Sequence, residues 1–302
     1  MRKRRISPVQ FCVLLYGALI CALTAAHFPY HTDPEIAASD RKELKAFYSE
    51  AYDSNPKPED AAYVTVATEA ADRLNVKGAV EQFVQAFHLE NKKVLDVGAG
   101  RGYLQDIVPN YVGLDISPTA RRFFHKPFVL GSATSLPFKD GEFDAIWTIW
   151  VLEHVPNPEQ ALSEMRRVLK PGGLLYLAPA WFCNSWAAQG YLVRPYSDFG
   201  PAGKIVKASI PLQMFSAPFY MYPTRLLRTA SARVGGPTRF HYNLLIPNYD
   251  RYYQSDSDAL NAIDPLEAML WFQSRGDRCL NCGSSLLDEL ALQPIAMVIQ
   301  RL

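Results

Sequence analysis

Apolar positions along this chain fall into three successive patterns. The first is an unbroken run: from Ile6 through Thr32 there is no Asp, Glu, Lys or Arg, and "FCVLLYGALICALTAA" is its most apolar part. The second is helical. Within the polar stretch 33–60, "DRKELKAFYSEAYDS" predicts a short helix. In "ATEAADRLNVKGAVEQFVQAFHLE", apolar residues recur at Ala79, Val80, Phe83, Phe87 and Leu89, which predicts a helix over that stretch. The third pattern is short apolar strands: "KKVLDVG", "YVGLDIS", "PFVLGSA", "EFDAIWTIW" and "GGLLYLAPA". A helix, "NPEQALSEMRRVLK", precedes the fifth and is stopped by Pro171, Gly172 and Gly173. Strands alternating with helices predict a parallel sheet covered on both faces. The chain closes on "IAMVIQRL", another alternating strand.

The first pattern carries a topological expectation. "MRKRR" places four basic residues ahead of the apolar run. With its flanks the run reaches about twenty residues, the length that crosses a hydrocarbon core of about 30 Å. A single-pass N-terminal membrane anchor over about residues 8–28 is therefore expected. The basic flank favours a cytoplasmic N-terminus with the rest of the chain across the membrane. The "DRKELK" segment downstream carries basic residues of its own, so the side stays open. The alternative is a signal peptide cut after "LTAA", leaving a secreted or periplasmic protein.

Composition narrows the class. About half of the 302 residues are hydrophobic, enough for a substantial core. A net charge of +1 gives no reason to expect a nucleic-acid partner. Five cysteines make no disulfide framework. Cys279 and Cys282 form one Cys-x-x-Cys, but a structural zinc site needs four ligands and no second pair lies nearby, so two ordinary cysteines near a strand end are expected.

The glycines of "VLDVGAGRG" bring in chemistry. Gly98, Gly100 and Gly102 follow the first strand, and open α/β sheets bind ligands at the carboxyl ends of their strands. A sharp turn with a ligand against its backbone excludes Cβ atoms, and a helix beginning beyond it would present free N–H groups. The spacing departs from the G-x-G-x-x-G of dinucleotide enzymes, which argues against a nicotinamide dehydrogenase. Asp96 lies just inside the turn, and Asp115 ends the second strand, where a carboxylate can accept from ribose hydroxyls.

Taken together, "VLDVGAGRG", "VGLDIS" and "GSATSLPFKDGEFDAIWTIWVLEHVPNPEQALSEMRRVLKPGGLLYLAPA" resemble the class I S-adenosylmethionine-dependent methyltransferases, in the group with the "LPF…FD…EH…RVLKPGG" run. The resemblance covers about residues 80–180. It implies a doubly wound, mostly parallel, seven-stranded Rossmann-like sheet with an antiparallel last strand, and S-adenosylmethionine as cofactor. By the same resemblance, Asp96 and the backbone of Gly98, Ala99 and Gly100, in the turn that Gly102 completes, would hold the methionine end. Asp115 would take the ribose hydroxyls and Ile116 would lie against the adenine. Ser132 and Ala133 stand where the family usually has an acid and alanine, and a serine oxygen accepts more weakly than a carboxylate. Ile149 and Trp150 would line the floor beneath the sulfonium. Some relatives bind a metal through "E-x-x-E-H"; here the first acid would fall at Trp150, so no metal is expected. His154 is the candidate general base, with a buried helix-start role as the other reading. Asp144 reads as structural.

The organisation that follows is an anchor or signal over 1–32, a polar linker and helices over 33–90, the cofactor-binding core over 91–180, an aromatic-rich insertion or cap over 181–255, and a C-terminal helix and last strands over 256–302. Residues 181–251 hold thirteen aromatics and eight Lys or Arg against two acids, Asp198 and Asp250. Trp181, Trp186, Tyr191, Tyr196, Phe219, Tyr220, Tyr222 and Tyr242 are thereby available to line an acceptor pocket. The expected activity is methyl transfer to a small-molecule or lipid-like acceptor. The alternative is a non-catalytic, cofactor-binding, membrane-attached interaction protein of the same fold.

Overall fold

A computed structural model describes residues 7–26, 36–53, 58–283 and 285–302. Four helices come first: α1 (Pro8–Ala26), α2 (Ile36–Ala51), α3 (Pro58–Arg73) and α4 (Val76–Ala86). The helix expected ahead of the glycine stretch is thus two helices. They part at Asn75, whose φ of 48° is the left-handed conformation that asparagine tolerates better than most residues. No helix among the described residues is long and apolar enough to cross a membrane. The expected transmembrane span therefore has no support; α1 packs instead beside a later helix, with the Tyr16 and Phe219 rings edge to face at 6.0 Å.

The sheet is built from β1 (Val94–Val97), β2 (Tyr111–Asp115), β3 (Phe128–Leu130), β4 (Phe143–Ile149) and, after α5 (Pro158–Val168), β5 (Leu169–Ala178). There follow α6 (Pro201–Val234), a small hairpin of β6 (Asn243–Leu244) and β7 (Asn261–Ala262), α7 (Pro265–Gln273), β8 (Arg278–Cys279), α8 (Leu286–Leu290) and β9 (Met297–Gln300). The seven strands run in the order β3-β2-β1-β4-β5-β9-β8. β1 to β5 are parallel, and β9 is antiparallel to β5, pairing Leu174 with Gln300 through Leu177 with Met297. This is the mostly parallel seven-stranded sheet expected from the strand pattern and the resemblance.

Alternation along each strand sorts the core into two layers. Leu95, Val97, Ile146, Leu175 and Leu177 face α5 and α7, while Val94, Ala145, Trp147, Leu174 and Tyr176 face α4. Asn157 caps α5 by accepting from the Gln160 N–H, and Asp264 caps α7 by accepting from Leu266. Three features differ from expectation. Turns, not a helix, follow the glycine stretch, since thirteen residues (98–110) return the chain to β2. The insertion contains α6, a helix of 34 residues with Pro211, Pro218 and Pro223 inside it. Cys279 and Cys282 are disulfide-bonded rather than free, with Cα atoms 5.6 Å apart.

Candidate active site

β1 is the third of the seven strands, with β2 on one side and β4 on the other. The strand order reverses there, which opens a crevice beyond the carboxyl ends of the strands. Gly98 and Gly100 turn the chain across that crevice with φ of 76° and 51°, a region that L side chains rarely enter. A Cβ at Gly98 would lie 2.2 Å from a methyl of Val151. Both glycines are thus demanded by backbone conformation, and Gly98 also by the Val151 side chain packed against it.

The cavity beyond them is lined by Asp96, Gly98, Ala99, Gly100, Asp115, Ile116, Ser132, Ala133, Ile149, Trp150 and His154. The residues expected to bind cofactor therefore surround one space, apart from Gly102. That glycine is not in the lining; its own Cβ would meet Gln105 at 2.7 Å, so it serves the local turn. Asp115 fastens the walls: Oδ2 accepts from Gly100 N at 2.8 Å and Oδ1 from Ser117 N at 2.8 Å. Each oxygen keeps a further lone pair for a ligand hydroxyl. Burial raises the Asp115 pKa to about 6 against those backbone hydrogen bonds, and raises that of Asp96 to about 7, although Asp96 accepts from the Tyr111 hydroxyl at 2.7 Å. Two buried carboxylates beside a glycine cradle fit a ligand that carries hydroxyls and a positive charge. Ser132 holds Thr134, with their hydroxyl oxygens 2.9 Å apart.

Helices outside the sheet supply the other wall. Tyr48 near the end of α2 and Tyr52 just beyond it are stacked, 6.0 Å between centroids, and Tyr63 meets both from α3. All three line the cavity, so 33–90 is more than a linker. None of the eight aromatics singled out in 181–251 is among the lining residues. Tyrosines four apart at the end of the expected helix "DRKELKAFYSEAYDS" are the available signal for this wall.

His154 sits in a short 3₁₀ turn (Leu152–His154) and is buried at the cavity edge. Its Nδ1 lies 3.4 Å from Asp258 Oδ2, and its Nε2 lies 3.6 Å from Glu153 Oε1. The Tyr48 hydroxyl donates to the same Asp258 oxygen at 2.7 Å. Burial works against a charged imidazole, but the carboxylates of Asp258 and Glu153 outweigh it and raise the His154 pKa above its usual 6.5. Burial, then the charge of Asp258, pushes the Tyr48 phenol far upward, so Tyr48 stays a neutral donor. Asp258 was not foreseen; 104 residues separate it from His154. Among the described residues no group of His, Cys, Asp and Glu could hold a metal ion.

Comparison with known proteins follows this geometry. Residues 95–177 match the family described as "Methyltransferase domain". A demethylmenaquinone methyltransferase of Renibacterium salmoninarum is 42% identical over 96 residues, 29% of this chain and 40% of that one. A ubiquinone biosynthesis O-methyltransferase of Dechloromonas aromatica is 35% identical over 111 residues, 31% of this chain and 47% of that one. The chain thus spans under half the length of these relatives. Among solved structures, an S-adenosylmethionine-bound amino pentose methyltransferase of Micromonospora echinaspora is 25% identical, with 38% of this chain and 57% of that one covered at a TM-score of 0.33.

Proposed function

We propose, for a chain whose residues 95–177 are a class I S-adenosylmethionine-dependent methyltransferase domain, that the whole protein methylates a hydroxyl oxygen of a small or lipid-like acceptor. One observation carries the reading: an imidazole held by a buried carboxylate stands in the wall of the same cavity as the glycine cradle and Asp115. Asp115 and Asp96 would hold the cofactor, with Gly98 to Gly100 against it, and Ile116, Ser132 and Ala133 would line its base. The cofactor supplies a methyl group already activated on a sulfonium. The protein's task is then to align the acceptor and remove its proton. His154 takes that proton, and Asp258 and Glu153 stabilise the imidazolium that forms. Tyr48, Tyr52 and Tyr63 give the acceptor an aromatic wall. Two relatives whose names refer to quinones favour an acceptor of that kind. We also read α1 as attaching the chain to a membrane, on the strength of its uncharged, apolar sequence behind "MRKRR".

Calorimetry with S-adenosylhomocysteine, together with transfer of labelled methyl into a lipid extract, tests the reading. Saturable binding and labelled lipid are expected, with His154→Gln retaining binding and losing label. Absence of binding at millimolar ligand would sink the reading. Binding without transfer to any extract would leave the non-catalytic alternative.

A further inference from the structure

The outer surface of α6 is inside out. Arg225 is fully buried and clamps Asp264 with two hydrogen bonds, 2.9 Å from Nε and 2.8 Å from Nη2. One turn on, Arg228 clamps Glu267 in the same way, at 2.6 and 2.8 Å. Large apolar residues between and before them point outward: Leu212 is 64% exposed, Phe215 66%, and Leu226 and Leu227 close to half. From Ala208 through Thr224 the helix has no charged residue, and it contains no acid along its whole length. A water-facing helix would place its arginines outside and its phenylalanines inside.

α1 lies against this surface through Tyr16 and Phe219. Only Tyr16 and Ile20 of its described side chains are partly covered; Val9, Phe11, Val13, Leu14, Leu15 and Leu19 are exposed around the rest of its girth. A groove on a protein partner would cover one face of such a helix, whereas hydrocarbon can surround it. The exposed apolar surface of α6 continues the one on α1. Basic residues flank both, "MRKRR" before α1 and the exposed Lys204 at the start of α6. The occupant that matches is an anionic lipid bilayer.

We infer that α6 is a second membrane-binding element, its exposed apolar side lying in the headgroup–acyl boundary of an anionic membrane into which α1 inserts; this rests on the reading of α1 as a membrane attachment. Arg225 and Arg228 turn inward because their partners are in the protein and the outside is lipid. The helix is about 50 Å long at 1.5 Å per residue, so it lies along the surface and spreads the contact.

The test uses the full chain with Cys12→Ser and Cys21→Ser, an environment-sensitive NBD label on Phe215→Cys, and a control label on Asn91→Cys. Vesicles are phosphatidylcholine with phosphatidylglycerol, with and without doxyl-labelled lipid. A blue shift and severalfold brightening at position 215, quenched by doxyl lipid and absent at position 91, is expected. Both effects should weaken in phosphatidylcholine alone. Flotation with vesicles but an unchanged label at 215 would overturn the role of α6 and leave attachment through α1 standing. Failure to float would remove both. A blue shift without vesicles that grows with protein concentration would overturn the proposal in favour of a second copy of this chain as the occupant.

Discussion

Asp115 both ties two backbone N–H groups and lines the cavity, so its removal tests the proposed cofactor site. Its oxygens tie Gly100 to Ser117, and they face the cavity where ribose hydroxyls are expected. Asp115→Ala removes charged hydrogen bonds worth about 1.5–3 kcal/mol each, so affinity for S-adenosylhomocysteine should fall at least about tenfold by calorimetry. Acid should mimic the substitution. The folded-state pKa values of Asp115 and Asp96 are raised to about 6 and about 7, so both carboxylates protonate as the pH falls through that range, and wild-type affinity should fall with them. For His154 the dependence runs the same way. It is a base only when neutral, and its pKa is raised, so turnover should rise with pH along a limb above 6.5. Asp258→Asn removes an anion that favours the imidazolium, and should move that limb to lower pH as well as slow turnover. A limb that stays in place would mean that His154 does not carry the proton. Asp115 and the glycines were legible in sequence because strand, turn and acid lie within twenty residues. Asp258 was not, because only the folded chain brings it to His154.

Among the elements, α6 shows why periodicity alone missed a helix. Three prolines interrupt its pattern, and its buried side is marked by arginines rather than by leucines. The partners that make those arginines tolerable, Asp264 and Glu267, belong to the cap and first turn of α7. Arg225 also donates to the carbonyls of Leu290 and Leu292, so a single guanidinium joins α6, α7 and the end of α8. Arg225→Ala strands the Asp264 carboxylate in the interior, and should cost about 3–5 kcal/mol in urea unfolding. Arg233, whose pair with Glu289 is exposed on the arginine side, serves as the control; Arg233→Ala should cost about 1 kcal/mol or less. Equal losses would mean that the inward arginines do not organise this helix. By contrast, the helices α5 and α7 could be read directly from sequence, since each has a capping side chain followed by proline and a run of apolar residues.

For the whole molecule, the sheet was legible because each of its five parallel strands is short, apolar and bounded by turn residues, and because the last strand alternates. The wall above the sheet was not: the cavity is closed by tyrosines of the amino-terminal segment, while Tyr249 and Tyr252 of the insertion pack behind them rather than lining it. The disulfide at the sheet edge bears on a question that no side chain in the cavity addresses. It joins Cys279 of β8 to Cys282, three residues on, and Cys282 is buried. Thiols in the cytosol are kept reduced, whereas such bonds persist in oxidising compartments. We propose that the pair reports the redox state of the compartment the chain occupies. Acid-quenched cells treated with an alkylating reagent before any reduction should show neither cysteine tagged. Tagging of both would place the catalytic domain among the cell's reductants.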